Sequence, residues 1–160
     1  MLATLIRTKP GKNFVQFMRS DRGKQLDKFL VRTTGFSLLM RVFSAMVGFP
    51  PMPVLMLFTI GAKSGEERST VMPYVKMGNR IYLIGSNGAK PNDPAWVKNL
   101  LANPDARIII NRETRNVRAR MLDFDSPERA EVWAFAETLT PQYTTYQNST
   151  SRKIPVLALE

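Results

Sequence analysis

The segment Thr59-Ile-Gly-Ala-Lys-Ser-Gly-Glu-Glu-Arg68 separates two apolar runs, and its residues predict a tight turn between two strands. Gly65 can adopt a positive φ, which would aim consecutive backbone N–H groups at one point. Lys63, Ser64 and Arg68 add two cations and a hydroxyl, so the turn could cradle a phosphate. The alternative is an ordinary exposed turn whose cations are solvated and balanced by the two neighbouring glutamates. Spacing alone leaves both interpretations open.

A second segment, Asn92-Asp-Pro-Ala-Trp-Val-Lys-Asn-Leu-Leu-Ala-Asn-Pro104, predicts a helix. Asp93 is a suitable N-cap and Pro94 suits the first helical position, while the closing Asn-Pro predicts the end. Trp96 and Asn99 are three residues apart and therefore share a face of this helix. The indole of Trp96 either packs beside a ligand or anchors the helix in the core.

After Pro53 the sequence is typical of short strands separated by turn residues. We predict six strands, over residues 54–60, 70–77, 80–85, 107–111, 117–124 and 154–159. A second helix is predicted from the cap residue Ser126 through Leu139. Short antiparallel strands with helices at their margins favour an α+β fold built as a small barrel with flanking helices. The pattern by itself does not select a type of barrel.

Composition narrows the chemistry. The 160 residues include no His and no Cys, which excludes a Ser-His-Asp triad, a Cys-His pair and the usual zinc sites. We therefore expect no metal site, and we expect a cofactor to carry the reaction while the protein binds, orients and polarises. The absence of a Gly-x-Gly-x-x-Gly motif after a strand argues against a conventional nicotinamide-binding fold. Length and an apolar content of 44% fit one structural domain.

Positive charge is concentrated near the amino terminus. The net charge is +10, and residues 1–48 hold nine Lys or Arg against two Asp. We predict a basic, partly amphipathic helical arm over residues 1–53 that precedes a barrel domain over residues 54–160. Within the arm, Leu26, Phe29 and Leu30 fall on one face of a predicted helix whose other face is basic.

The apolar run over residues 36–49 has two interpretations. Its 14 residues are too few for a spanning helix, which needs roughly 20. The run either packs in the core or lies on an anionic membrane surface. Five side chains are then available to insert: Phe36, Leu38, Leu39, Phe43 and Met46.

The basic residues of the arm suggest no nucleic-acid partner. Neither interleaved aromatic residues on an exposed sheet nor a recognisable reading helix accompanies them. We expect a cytoplasmic protein, with peripheral contact at the inner face of the plasma membrane as an open alternative.

The turn and the second segment together resemble the deazaflavin-dependent nitroreductase family. The turn pattern of that family is Gly-Arg-Lys-Ser-Gly-x-x-Arg, and this chain matches it except at Ala62, while Asn87 replaces a downstream basic residue. The Asn-Pro-x-Trp-x-x-Asn-Leu helix is matched from Pro94 to Leu100. The resemblance implies a split β-barrel that binds the deazaflavin coenzyme F-420. It also implies the cofactor-binding residues, which are Lys63, Ser64, Gly65, Arg68, Val71, Met72, Pro73, Ser86, Asn87, Trp96 and Asn99.

Near the carboxyl end the family carries a tyrosine-rich segment. Here Tyr143 and Tyr146 are retained, whereas Thr140 stands where another tyrosine is frequent. A phenol can line an apolar pocket and donate one hydrogen bond to an acceptor oxygen as hydride arrives. We interpret Tyr143 and Tyr146 as catalytic; the alternative is that they only close the end of the barrel.

These observations predict an oxidoreductase that passes hydride from reduced coenzyme F-420 to an electron-poor small molecule. The acceptor is a quinone, an activated enone or a nitro compound, and the substitution at Thr140 makes nitro compounds the least favoured. One alternative is an FMN-dependent reductase of the same fold. The other is a non-catalytic carrier of a deazaflavin or lipid at the membrane.

Overall fold

The computed structural model of the chain describes residues 8–160, which form six α-helices and seven strands. The first seven residues of the predicted arm lie outside the described residues. The helices are α1 (Lys9–Arg19), α2 (Asp21–Thr34), α3 (Leu38–Val47), α4 (Ala95–Ala102), α5 (Pro127–Leu139) and α6 (Gln142–Asn148). The strands are β1 (Val54–Ile60), β2 (Glu67–Pro73), β3 (Val75–Met77), β4 (Arg80–Ile84), β5 (Asp105–Ile110), β6 (Glu113–Met121) and β7 (Val156–Leu159).

The strands form one curled sheet in the order β2-β1-β5-β6-β7-β4-β3, with antiparallel pairing throughout. The predicted α+β fold of short antiparallel strands is therefore confirmed. The single strand predicted over residues 70–77 is wrong, because β2 pairs with β1 at one edge of the sheet while β3 pairs with β4 at the other. The chain turns between them at Tyr74, whose N–H donates to the carbonyl of Pro53 at 3.1 Å.

The core fills the inside of the curled sheet. Leu55, Leu83 and Ile108 are fully buried there, and α4 closes it with Val97 and Leu100. A second cluster forms where α5 and α6 cover β3, β4 and β7 from outside. Burial of these apolar side chains is the main force that holds the helices to the sheet.

The helices before β1 pack on the barrel through one face only. Val31 of α2 is buried against Val54 and Met56 of β1. At Gly23, α1 and α2 approach so closely that a Cβ would stand 2.2 Å from the carbonyl oxygen of Phe17. The face that carries Phe29 points outward, with 62% of this residue exposed. The proposed division of the chain at residue 54 stays a prediction.

The apolar run contains α3 and is partly buried and partly exposed; contact with a membrane stays a prediction. Val42 is buried, whereas Phe36, Phe43 and Met46 are exposed. No single helix within residues 8–160 is long and apolar enough to cross a membrane. Helices α2 and α3 together reach that length and composition, but they are bent by 108° at the break between them.

Candidate functional site

Residues 61–66 form the predicted hairpin turn between β1 and β2. Two backbone bonds of 2.8 Å close it, from Gly61 N–H to the Glu66 carbonyl and from Gly65 N–H to the Gly61 carbonyl. Gly65 has a φ of +69°, as expected. Within the described residues, the N–H groups of Lys63 and Ser64 make no hydrogen bond. These two groups are therefore available to an anion.

The two cations of the turn differ in their partners. Arg68 is paired with Glu66 at 2.7 Å and also donates to the Ser64 hydroxyl at 3.4 Å. Lys63 makes no ion pair within residues 8–160. The donors that remain open thus include one ammonium group, two backbone N–H groups and the O–H of Ser64, whose oxygen only accepts. This chemistry fits the phosphate of a bound cofactor.

Asn99 of α4 fixes the turn in place. Its Oδ1 accepts from the N–H of Ala62 at 3.0 Å, and its Nδ2 donates to the hydroxyl of Thr59 at 2.9 Å. Both Asn99 and Thr59 are buried. Since both ends of the amide are bonded within the chain, we assign Asn99 to positioning the turn. A direct hydrogen bond from Asn99 to the cofactor stays a prediction.

A cavity of about 350 Å³ lies between α3, α6 and the open edge of the barrel. It brings together seven of the predicted site residues: Met72, Pro73, Ser86, Asn87, Trp96, Tyr143 and Tyr146. The helix α3 and the segment after it supply an apolar wall that includes Met40, Phe43, Val47, Phe49 and Met52. We call this space the acceptor cavity.

The other predicted residues lie outside the acceptor cavity. The turn residues Lys63, Ser64, Gly65 and Arg68 are exposed, and Val71 packs against the cluster that joins α2 to β1. Trp96 belongs to the buried core, as one of the two interpretations predicted, and it also lines the cavity. Packing of its indole beside a ligand stays a prediction.

Tyr143 is the most buried phenol of the cavity wall, with 5% of the residue exposed. Its O–H donates to the Sδ atom of Met52 at 3.7 Å, and its ring lies 6.3 Å from that of Trp133. Burial, and secondarily the neighbouring Tyr146, raises the pKa of Tyr143 well above its ordinary value. A thioether is a weak acceptor, so this O–H can turn to a stronger acceptor oxygen in the cavity.

Tyr146 also lines the cavity and is half-buried. Burial raises the pKa of Tyr146 above its ordinary value. Both phenols are therefore protonated at neutral pH and can act as hydrogen-bond donors.

Arg152 holds a wall of the candidate site and was not predicted from the sequence. Its guanidinium donates to the carbonyls of Lys90, Gly85 and Ser86 at 2.9, 2.9 and 2.6 Å. It also binds the carboxylate of Asp93 at 2.8 Å, with only 13% of the side chain exposed. One side chain thus ties together the whole loop between β4 and α4.

The predicted N-cap of α4 is wrong. Helix α4 begins at Ala95 with Pro94 at the N-cap, and Asp93 makes no cap bond because its carboxylate binds Arg152. The other predicted cap is confirmed, since the Ser126 hydroxyl accepts from the N–H of Arg129 at 3.3 Å.

Gln147 connects Arg152 to the helix of the tyrosines. Its Nε2 donates to the carbonyl of Arg152 at 2.9 Å, and its Oε1 accepts from the N–H of Ile154 at 2.9 Å. The loop with Ser86 and Asn87 and the helix with Tyr143 and Tyr146 are therefore fixed to one segment. Only an Arg ahead of an apolar strand marked this network in the sequence, and that pattern is too common to identify it.

A curled antiparallel barrel, with an exposed turn that leaves donors open at an edge strand and two tyrosines over an apolar cavity, has the architecture of the split β-barrels, in which a bound coenzyme carries the redox step. The profile of the F-420H(2)-dependent quinone reductase family matches residues 38–160. This chain belongs to that family. It is therefore an oxidoreductase that uses coenzyme F-420, as the turn and helix motifs predicted. FMN dependence and a non-catalytic carrier role are not favoured.

Known proteins support this assignment. An F-420H(2)-dependent quinone reductase of Mycobacterium tuberculosis is 37% identical over 108 residues, which are 67% of this chain and 72% of that protein. The solved structure of an F-420-H2 dependent reductase, FDR-A, is 32% identical in sequence and superposes with a TM-score of 0.61. The match covers 68% of this chain and 94% of the FDR-A chain. The predicted split β-barrel is thereby confirmed. A further solved structure, a domain-swapped dimer, is 26% identical with a TM-score of 0.63. That match covers 93% of this chain and 98% of the other.

Proposed function

We propose that this protein reduces a quinone, which lies in the acceptor cavity between α3 and the two tyrosines. The observation that carries the proposal is Tyr143, whose buried O–H faces that cavity and, within residues 8–160, has only the thioether of Met52 as its partner. A quinone offers two carbonyl oxygens on an apolar ring, which matches an apolar wall with one strong donor.

Coenzyme F-420 supplies a hydride when it is bound in its reduced form. Lys63 and the N–H groups of Lys63 and Ser64 would hold its phosphate, with Arg68 as a second cation. Within residues 8–160, strand β2 lies at an edge of the sheet, and alternate residues of such a strand direct their backbone groups away from the partner strand. The segment of Val71, Met72 and Pro73 belongs to this edge. We assign these groups to the deazaflavin ring and Trp96 to the wall beside it.

Tyr143 would act by donating a hydrogen bond to the carbonyl oxygen on which negative charge develops. A hydride and one proton convert a quinone to its hydroquinone, so one proton must be supplied. The raised pKa of Tyr143 makes its phenol a poor acid. We therefore assign the proton to solvent, and we assign hydrogen bonding and orientation to Tyr143 and Tyr146.

The same donor would polarise the carbonyl of an activated enone, and we propose enones as a second class of acceptor. Thr140 lines the cavity, and its hydroxyl accepts from the N–H of Gln142 at 3.3 Å. A threonine there reaches less far than a tyrosine would. We therefore expect weak reduction of nitro compounds.

Binding of F-420 and FMN tests the cofactor site. Each cofactor is titrated into the protein and followed by its own fluorescence. We expect F-420 to bind with micromolar or tighter affinity and FMN to bind far more weakly. Lys63→Ala should weaken F-420 about tenfold, the effect of one charge-assisted contact. Lys76→Ala is the matched control, since it removes the same charge from β3 at the opposite edge of the sheet. Equal loss in both variants would refute the turn as the phosphate site.

We also propose that the outer face of α1, α2 and α3 contacts an anionic membrane, which would place the protein at the inner face of the plasma membrane. Eight of the eleven exposed large hydrophobic side chains within the described residues lie between Phe14 and Phe49. Basic residues accompany them on the same helices. Sedimentation with anionic and with neutral vesicles tests this proposal. We expect binding to anionic vesicles alone, reduced by Phe29→Ser; equal binding to both would contradict it.

A further inference from the structure

Met52 brings a sulfur atom to the wall of the acceptor cavity. It lies in the segment of residues 48–53 between α3 and β1, and it is half-buried between the exposed prolines Pro51 and Pro53. Its side chain lines the cavity and packs against the cluster that α5 and α6 form over the sheet. A small polar reagent that enters the cavity can therefore reach this thioether.

The sulfur of Met52 is the acceptor of the Tyr143 O–H, with 3.7 Å between Sδ and Oη. Within residues 8–160 this O–H has no other partner, and only 5% of Tyr143 is exposed. A thioether accepts hydrogen bonds weakly, so the phenol can turn from it to an oxygen atom in the cavity. A stronger acceptor at the position of this sulfur would hold the phenol back.

Oxidation converts the sulfur of methionine into such an acceptor. When a hydroperoxide reacts with a thioether, the O–O bond breaks, one oxygen forms a bond to sulfur, and the other leaves as water if the oxidant is hydrogen peroxide. The sulfur loses two electrons and the peroxide gains them. The product is methionine sulfoxide, a polar side chain. An oxygen bonded to Sδ of Met52 lies within hydrogen-bonding reach of the Tyr143 O–H.

We infer that Met52 is an oxidation-sensitive switch of the acceptor cavity, whose sulfoxide accepts the Tyr143 O–H and withholds it from a quinone. The effect on turnover rests on the proposed function. The hydroquinone product is itself a source of the oxidant, because dioxygen reoxidises it to the quinone and is reduced to hydrogen peroxide. Methionine sulfoxide reductases reverse the modification, so quinone reduction would stop while peroxide accumulates and resume afterwards.

Two other methionines line the acceptor cavity, which makes the inference specific. Met40 is half-buried, and Met72 is 8% exposed. Within residues 8–160 neither sulfur accepts a hydrogen bond from a phenol. Oxidation at Met40 or Met72 would therefore leave the Tyr143 O–H free, and Met40→Leu is the matched control for Met52→Leu.

The test treats the full protein with hydrogen peroxide, which catalase then removes, and the masses of its peptides report oxidation at each methionine. Turnover of 2-methyl-1,4-naphthoquinone with reduced F-420 is measured before and after treatment. Each variant is compared with its own untreated sample. We expect kcat of the unmodified protein to fall about tenfold or more, in proportion to oxidation at Met52, because one donor to the developing negative charge is lost. Methionine sulfoxide reductases should restore the rate.

The variants show whether the effect passes from the sulfur to the phenol. Met52→Leu and Tyr143→Phe should each lose less than twofold on treatment, because one lacks the sulfur and the other lacks the O–H. Met40→Leu should lose as much as the unmodified protein. The affinity for F-420, measured by fluorescence, should stay within twofold in every treated sample.

A second readout needs no turnover. The near-ultraviolet absorption of a tyrosine moves to longer wavelength when its phenol donates a stronger hydrogen bond. This shift should accompany oxidation of the unmodified protein and of Met40→Leu, and it should be absent from Met52→Leu and from Tyr143→Phe.

The outcomes separate the switch from the function on which it rests. Oxidation at Met52 with an unchanged kcat overturns the switch and leaves the proposed function intact. Equal losses in the unmodified protein and in Met52→Leu or Tyr143→Phe assign the damage to other residues and also overturn it. Failure of the untreated protein to reduce the quinone refutes the proposed function. The absorption shift then decides by itself whether the sulfoxide binds the phenol, and its absence overturns that contact as well.

Discussion

The turn of residues 61–66 and the loop between β4 and α4 are held in opposite ways. The turn is exposed and closed by bonds between near neighbours, with Asn99 as its one tie to α4. The loop is held by Arg152, which lies at least 59 residues away in sequence and is mostly buried. A turn of the first kind leaves donors free for a ligand, whereas four acceptors of the loop are bonded to one distant side chain, which holds the wall of the acceptor cavity in place.

Arg152→Ala should give the largest effect, because it removes the long-range bonds that hold the loop between β4 and α4. Four acceptors lose their partner, and partly buried acceptors without a partner destabilise a fold by about 1–3 kcal/mol each. We expect a loss of about 3 kcal/mol in the free energy of unfolding, since solvent reaches some of these groups. Quinone turnover should fall more than tenfold. Denaturant unfolding and steady-state kinetics measure the two effects.

Arg152→Lys is the control for the role of this network. A lysine keeps the charge near Asp93 but cannot reach three carbonyls with a planar fork. We expect most of the stability to return while kcat for the quinone stays low. If Arg152→Lys restores kcat along with stability, the network supports the fold alone and does not position the cavity wall.

Tyr143→Phe comes next, and it tests the chemistry that the rigid wall supports. Removing one hydrogen-bond donor to a developing negative charge lowers kcat by about 100-fold, the lower end of the effect for one such donor. The free energy of unfolding should change little, because the O–H is bonded only to the weak acceptor Met52. Stopped-flow kinetics of F-420 oxidation measures the rate.

Tyr82→Phe is the matched control for Tyr143→Phe. Tyr82 is also buried, but its O–H donates to Glu128 at 3.0 Å outside the acceptor cavity. Its loss should leave the rate within twofold. A rate for Tyr143→Phe equal to that of the unmodified protein would remove Tyr143 from the catalytic group.

The difference between local and long-range contacts also explains which features could be predicted from the sequence. The turn and the cap at Ser126 were predicted correctly because a short local pattern carries each of them. The bond from Asn99 to the turn was not predicted, because its two partners lie 37 residues apart. The split of residues 70–77 into two strands was missed because it depends on which edge of the sheet each strand joins. Arg152 was missed because its partners are distant in the chain, and local pattern contains no information about them. The contribution of α3 to the wall of the acceptor cavity was missed for the same reason.

Asn99→Ala tests the bonds that hold the turn to α4. The substitution leaves the N–H of Ala62 and the hydroxyl of Thr59 without partners, which costs about 1–2 kcal/mol. We expect F-420 affinity to fall several-fold as the turn loses its fixed position, while kcat at saturating F-420 stays near normal. Fluorescence titration and saturation kinetics separate these effects. A large loss of kcat at saturation would show that Asn99 acts on the reaction as well as on the turn.

The smallest effect is the dependence of stability on pH. Burial raises the pKa of Tyr143 in the folded state, so above pH of about 10, the ordinary value of tyrosine, the unfolded chain binds fewer protons. The stability contributed by the neutral phenol is fully present below that pH and is lost as pH rises, by up to about 1.4 kcal/mol per unit. Tyr143→Phe should therefore lose less stability than the unmodified protein between pH 10 and 11, in thermal unfolding at matched ionic strength. Parallel curves for the two proteins would mean that Tyr143 is hydrated in the folded state, and its O–H would then be no better placed than an exposed phenol to bind a quinone.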